Sequence, residues 1–73
     1  MIIYDPLWKT LKDKGITKYA LIYKYGFSSN TIHRLRHNGG ISTALINDLC
    51  LLLNCRVEDI LLFVPEEKEN QKE

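Results

Sequence analysis

Apolar positions recur along the chain with the period of helices, and clear stop signals separate them. Leu7, Trp8 and Leu11 are spaced as one face of a first helix. Asp5 before Pro6 predicts its start, an N-cap followed by a proline whose missing N–H costs nothing in a first turn. Lys14-Gly15 predicts its end, since glycine readily takes the left-handed conformation that closes helices. Thr17 is placed to cap a second helix carrying Leu21, Ile22 and Tyr25 and ending at Gly26. Ser28 is placed to cap a third, over about residues 29–37, with Ile32 and Leu35 inward and Asn38-Gly39-Gly40 closing it. Ser42 predicts the cap of a fourth, with Ile46, Leu49, Cys50 and Leu53 on one face and Asn54 at its end. Residues 57–62 read as a short fifth helix.

Two β-prone runs, residues 1–4 and 62–64, lie at opposite ends of the patterned region and are expected to pair as a short two-stranded ribbon. Residues 66–73 contain no apolar side chain and read as a disordered charged tail. The expectation is an all-α fold, a compact five-helix bundle containing a helix-turn-helix, in one domain over residues 1–65.

Length and composition narrow the function. Seventy-three residues make one small domain, with too little interior for a buried catalytic cleft and its supporting shell. A non-enzymatic role is expected. Hydrophobic residues at 45% and charged residues at 26% are the balance of a folded soluble domain. No stretch approaches the roughly 18–20 apolar residues of a membrane span. Met1-Ile2-Ile3-Tyr4 is no secretory signal, lacking a basic start, so the expected address is cytoplasmic. Cys50 and Cys55 are too few for a disulfide scaffold and lack zinc spacing, so both are expected reduced in the core. No cofactor is implied. His33 and His37 share a helical face without a third ligand for a metal. Ser28 or Ser29 beside His33 lacks an acidic orienter and an oxyanion site.

The net charge of +1 hides a strong asymmetry. Residues 9–37 hold seven basic side chains (Lys9, Lys12, Lys14, Lys18, Lys24, Arg34, Arg36) against Asp13 alone. Residues 38–64 hold Arg56 against Asp48, Glu58 and Asp59. A dipolar molecule, basic in its first half, suits a polyanionic partner on one face.

The basic half contains the turn Tyr25-Gly26-Phe27-Ser28 between the second and third helices. Glycine at the bend, with Leu21, Tyr25, Phe27, Ile32 and Leu35 in one inward frame, is the pattern of a helix-turn-helix. Through Thr17-Lys18-Tyr19-Ala20-Leu21, Gly26-Phe27-Ser28-Ser29-Asn30-Thr31-Ile32 and Leu49-Cys50 to Val64-Pro65, the chain resembles the Cro and phage-repressor type of regulator. It looks closest to a subgroup of short, single-domain bacterial members. The resemblance implies a lambda-repressor-like five-helix domain, transcription regulation by DNA binding through the third helix, and commonly a homodimer on a palindromic operator. The chain departs from the family's pattern at Ile22, where a small residue is usual, and at Lys18, where glutamine is common. Leu51 and Leu62 stand where polar residues are usual.

With Ile32 and Leu35 inward, the third helix leaves Ser29, Asn30, His33 and Arg34 as candidates for base contact. Asparagine bonds adenine in two places and arginine does so with guanine. Thr17, Lys18, Ser28, Arg36, His37, Asn38 and Thr43 are candidates for phosphate. Leu51 and Leu62 are expected to lie outside the monomer core and to form a dimer interface, with Ile60, Leu61 and Phe63 taking the inward positions. The aromatic residues are expected mostly at core positions or helix edges. The rival reading is a protein-interaction module, an antitoxin or adaptor on the same fold. Such a module needs exposed apolar anchors on the third helix, and that helix offers polar ones.

Overall fold

A computed structural model describes residues 1–65, in the order β1 (Ile2–Ile3), α1 (Asp5–Lys14), α2 (Lys18–Tyr23), α3 (Ser29–Arg36), α4 (Thr43–Leu53), a 3-10 turn at Val57–Asp59, and β2 (Leu62–Phe63). The run 66–73, expected to be a disordered tail, lies outside the described residues. No helix among the described residues is long and apolar enough to cross a membrane.

Three helices start at the caps that the sequence marks. Thr17 Oγ1 accepts from Ala20 N at 3.1 Å, Ser28 Oγ from Thr31 N at 3.0 Å, and Ser42 Oγ from Leu45 N at 3.1 Å. Each satisfies an N–H with no partner inside its own helix, a contribution of about 0.5–2 kcal/mol. Leu7 and Leu11 of α1, Leu21 of α2, Ile32 and Leu35 of α3, and Leu49 and Leu53 of α4 converge on one core with Tyr4 and Ile60. Burying each of these aliphatic side chains contributes about 1.5–3 kcal/mol. Ile22 packs at the edge of this core.

The expected ribbon forms, antiparallel, with Ile2 opposite Phe63 and Ile3 opposite Leu62. It ties the two ends of the folded chain together.

The expected fifth helix is absent among the described residues, which contain four α-helices. The segment instead makes a single 3-10 turn, Val57–Asp59, with Asp59 Oδ2 accepting from Arg56 N at 3.1 Å. Thr10 of α1 donates its hydroxyl to the Asp59 carbonyl at 2.8 Å, occupying a group that the next helical turn needs. Leu62 and Phe63 go to the ribbon, so the segment ends after one turn.

Smaller corrections have similar causes. Asp5 is the first residue of α1 and Tyr4 holds the cap position without a side-chain bond. Pairing of Ile2–Ile3 draws the chain in close, and Leu7 N donates to Tyr4 O at 3.0 Å. Helix α2 ends at Tyr23, three residues before Gly26. Tyr25 is exposed rather than inward, with the Lys24 ammonium 5.5 Å from its ring centroid. On α4, Leu45 and Leu52 pack on the core while Ile46 stays half-buried in flanking grooves. Tyr19, Tyr23 and Phe63 are exposed, and Tyr4 is the aromatic residue fully inside. Ile60 and half-buried Leu61 therefore take the inward positions without Phe63.

Candidate nucleic-acid interface

The link between α2 and α3 is tight because consecutive backbone groups fold back on α2. Lys24 N and Tyr25 N both donate to Ala20 O, at 2.9 and 3.0 Å, and Phe27 N donates to Leu21 O at 2.9 Å. Between them Gly26 takes φ +80°, where a side chain is strained even though nothing lies within 4 Å of a Cβ. Backbone conformation, rather than room, requires glycine here. Ser28 then caps α3, and its hydroxyl also bonds the Thr31 hydroxyl at 2.9 Å.

The far end of α3 is held by the N-terminal segment. Asn38 adopts φ +57° and Gly39 N returns to Arg34 O at 2.7 Å. Asn38 Oδ1 accepts from Tyr4 N at 3.2 Å, and Tyr4 OH donates to Gly39 O at 2.7 Å. Burial pushes the Tyr4 phenol up from its ordinary pKa, which keeps this donor protonated. Both ends of α3 are thus anchored by specific bonds, and its outer face has a defined orientation.

Around a helix of 3.6 residues per turn, Asn30 and His37 lie roughly opposite the buried Ile32–Leu35 side, with His33 and Arg34 flanking them. Ser29, Asn30, His33, Arg34 and His37 are all exposed. Among the described residues, no hydrogen bond or ion pair engages the side chains of Asn30 and Arg34. The His33 and His37 rings touch, with centroids 4.3 Å apart. Arg36 sits nearer the core, its guanidinium 5.8 Å from the centre of the Trp8 ring on α1. That platform holds the charge at the border between α1 and α3. Sequence reasoning missed Trp8 in this role, because the pair spans two helices and follows no local pattern.

The other candidates fall into two groups. Lys18 and Thr17 stand at the start of α2, and Ser28 at the start of α3. The Thr17 and Ser28 oxygens already serve as caps, and the Ser28 hydroxyl is also engaged with that of Thr31. Thr43 begins α4, and Asn38 keeps its amide nitrogen while its oxygen is committed to Tyr4. Lys9 pairs with Asp13 at 2.9 Å, which pushes its ammonium up and cancels its charge locally. No carboxylate among the described residues pairs with Lys12, Lys14, Lys18, Lys24, Arg34 or Arg36, and the basic half keeps its field. No group of three or more potential metal ligands occurs among the described residues.

Residues 6–66 match the family model of the Cro/C1-type helix-turn-helix DNA-binding domain. The chain belongs to this family. The Cro/C1-type assignment agrees with a solved structure, that of the transcriptional regulator VanUg, at 34% identity and a TM-score of 0.80. The match covers 89% of this chain and 87% of that one. No curated protein matches the chain. The matched span of this Cro/C1-type domain includes α2 and α3, the pair joined through Gly26.

Proposed function

We propose that the protein is a sequence-specific transcriptional regulator that inserts α3 into the major groove of duplex DNA. The observation that carries this reading is the outer face of α3, where Asn30 and Arg34 stand exposed with no partner among the described residues. Ser29, Asn30, His33 and Arg34 read base edges. Asparagine and arginine are the side chains suited to two-point bonds with adenine and guanine. Thr17, Lys18, Ser28, Arg36, His37, Asn38 and Thr43 hold phosphates and set the register. The similarity to VanUg, a transcriptional regulator by title, supports the regulatory role.

The protein acts as a homodimer on an operator of two inverted half-sites. Leu51 at 74% exposure and Leu62 at 49% are the apolar side chains that support the dimer contact. Two α3 helices then reach successive major grooves, about 34 Å apart. Its place of action is the cytoplasm. The exposed large apolar residues among the described residues lie on α2, the turn after it, α4, the 3-10 turn and the ribbon ends, and none lies on α3, which favours DNA over protein as the partner of α3.

The test is selection of bound fragments from a random duplex library, followed by a salt titration on the winner. A single inverted-repeat motif should emerge. Affinity should fall with a log–log slope of roughly −0.9 per phosphate contact. No enriched motif, or an affinity that stays flat with salt, would sink the proposal.

A further inference from the structure

The two cysteines occupy linked positions where α4 ends. Asn54 turns the chain with φ +52°, and Cys55 N returns to Cys50 O at 3.1 Å. This is the six-to-one bond of a Schellman closure, whose two end residues normally touch through apolar side chains. Here both are cysteines. Both thiols are free and half-buried. They open onto a groove of about 460 Å³ that Ile46, Asn47 and Val57 also line. The groove gives a small reagent access to sulfur, and α3 lies outside it.

We propose that Cys50 and Cys55 form a reversible thiol-modification site that takes low-molecular-weight disulfides and closes to an intramolecular disulfide. The Cys50 thiolate attacks one sulfur of the reagent, whose S–S bond breaks and releases one thiol after protonation. Cys55 then loses its proton and attacks the Cys50 sulfur of the mixed disulfide, expelling the second thiol. The two protein thiols are oxidised to one disulfide and the reagent is reduced to two thiols. Burial and the neighbouring Cys50 push the Cys55 thiol up, which keeps it protonated and casts it as the second, resolving thiol. The closure suits the fold because the main-chain bond already holds the two residues close together and both line one groove.

The test treats the reduced, folded protein with excess glutathione disulfide and follows intact mass and N-ethylmaleimide labelling. The expected product has lost two hydrogens, takes up no label, and is restored by dithiothreitol. Cys55→Ser should stop at a single glutathione adduct, and Cys50→Ser, left with the Cys55 thiol alone, should form its adduct more slowly. Ring closure should slow markedly in urea, where the turn no longer presents the thiols to each other. Two thiols that stay labelled, stable glutathione adducts on the wild type, disulfide-linked dimers, or equal closure rates in water and urea would each overturn the proposal.

Discussion

Helices α3 and α4 are assembled by the same rules. Each begins at a serine whose hydroxyl accepts the N–H three residues on, and each buries two aliphatic side chains in the shared core. Each also ends beside an asparagine in the left-handed region, Asn38 at φ +57° and Asn54 at φ +52°. Their outer faces differ completely. Helix α3 presents Asn30, His33, Arg34 and His37, whereas α4 presents Ala44, Asn47, Asp48 and Leu51. Inner faces decide that both helices exist and where they lie. Outer faces set what each one offers, a polar and basic surface on α3 and a mixed surface carrying the exposed Leu51 on α4.

The comparison can be broken at four depths, taken from the largest effect down. Leu35→Ala and Leu49→Ala should each cost about 2–5 kcal/mol in urea denaturation, since both side chains are fully enclosed. A small loss at either position would show that the two inner faces are not equivalent. Asn30→Ala and Arg34→Ala should each weaken specific binding by about 1–3 kcal/mol and relax preference at one base position. Lys18→Ala should weaken all sequences alike, and quantitative gel-shift titrations on matched and mismatched sites separate the two behaviours. Ser28→Ala and Ser42→Ala should each lower stability by about 1 kcal/mol, read from thermal unfolding. If only Ser28→Ala also lost DNA affinity beyond its stability cost, its hydroxyl would gain a phosphate role that Ser42 lacks. Smallest in stability is the Leu51→Glu, Leu62→Glu double change, expected within about 0.5 kcal/mol per site because both side chains face water. It should nevertheless abolish dimers in sedimentation. Dimers that persist would move the interface to the residues 1–4 side of the ribbon.

The legible parts were those governed by near neighbours. Thr17, Ser28 and Ser42 cap helices because each oxygen needs only an N–H three residues ahead. Gly26 marks the bend because its own backbone angle demands it. The inward pair Ile32 and Leu35 leaves the outer face of α3 by subtraction, so its candidate contacts could be named from spacing alone. The fifth helix failed for the opposite reason. Nothing within residues 57–62 announces that Thr10, on another helix, takes the Asp59 carbonyl. Asn38 reads as a polar residue after a helix, yet its oxygen serves Tyr4, 34 residues earlier.

The sequence by itself determined the helical class, the glycine turn, three of the caps and the polar identity of the α3 surface. All of these depend on interactions within about one helical turn, which spacing and residue type encode directly. Only the tertiary structure decided the edge of the inward α4 face, where Leu45 rather than Ile46 meets the core beside the expected Leu49, Cys50 and Leu53. It also decided that Arg36 rests on Trp8 and that Tyr4 is buried to hold the end of α3. Those outcomes depend on which distant side chain fills a space or satisfies a polar group first, and a one-dimensional pattern carries no record of that competition.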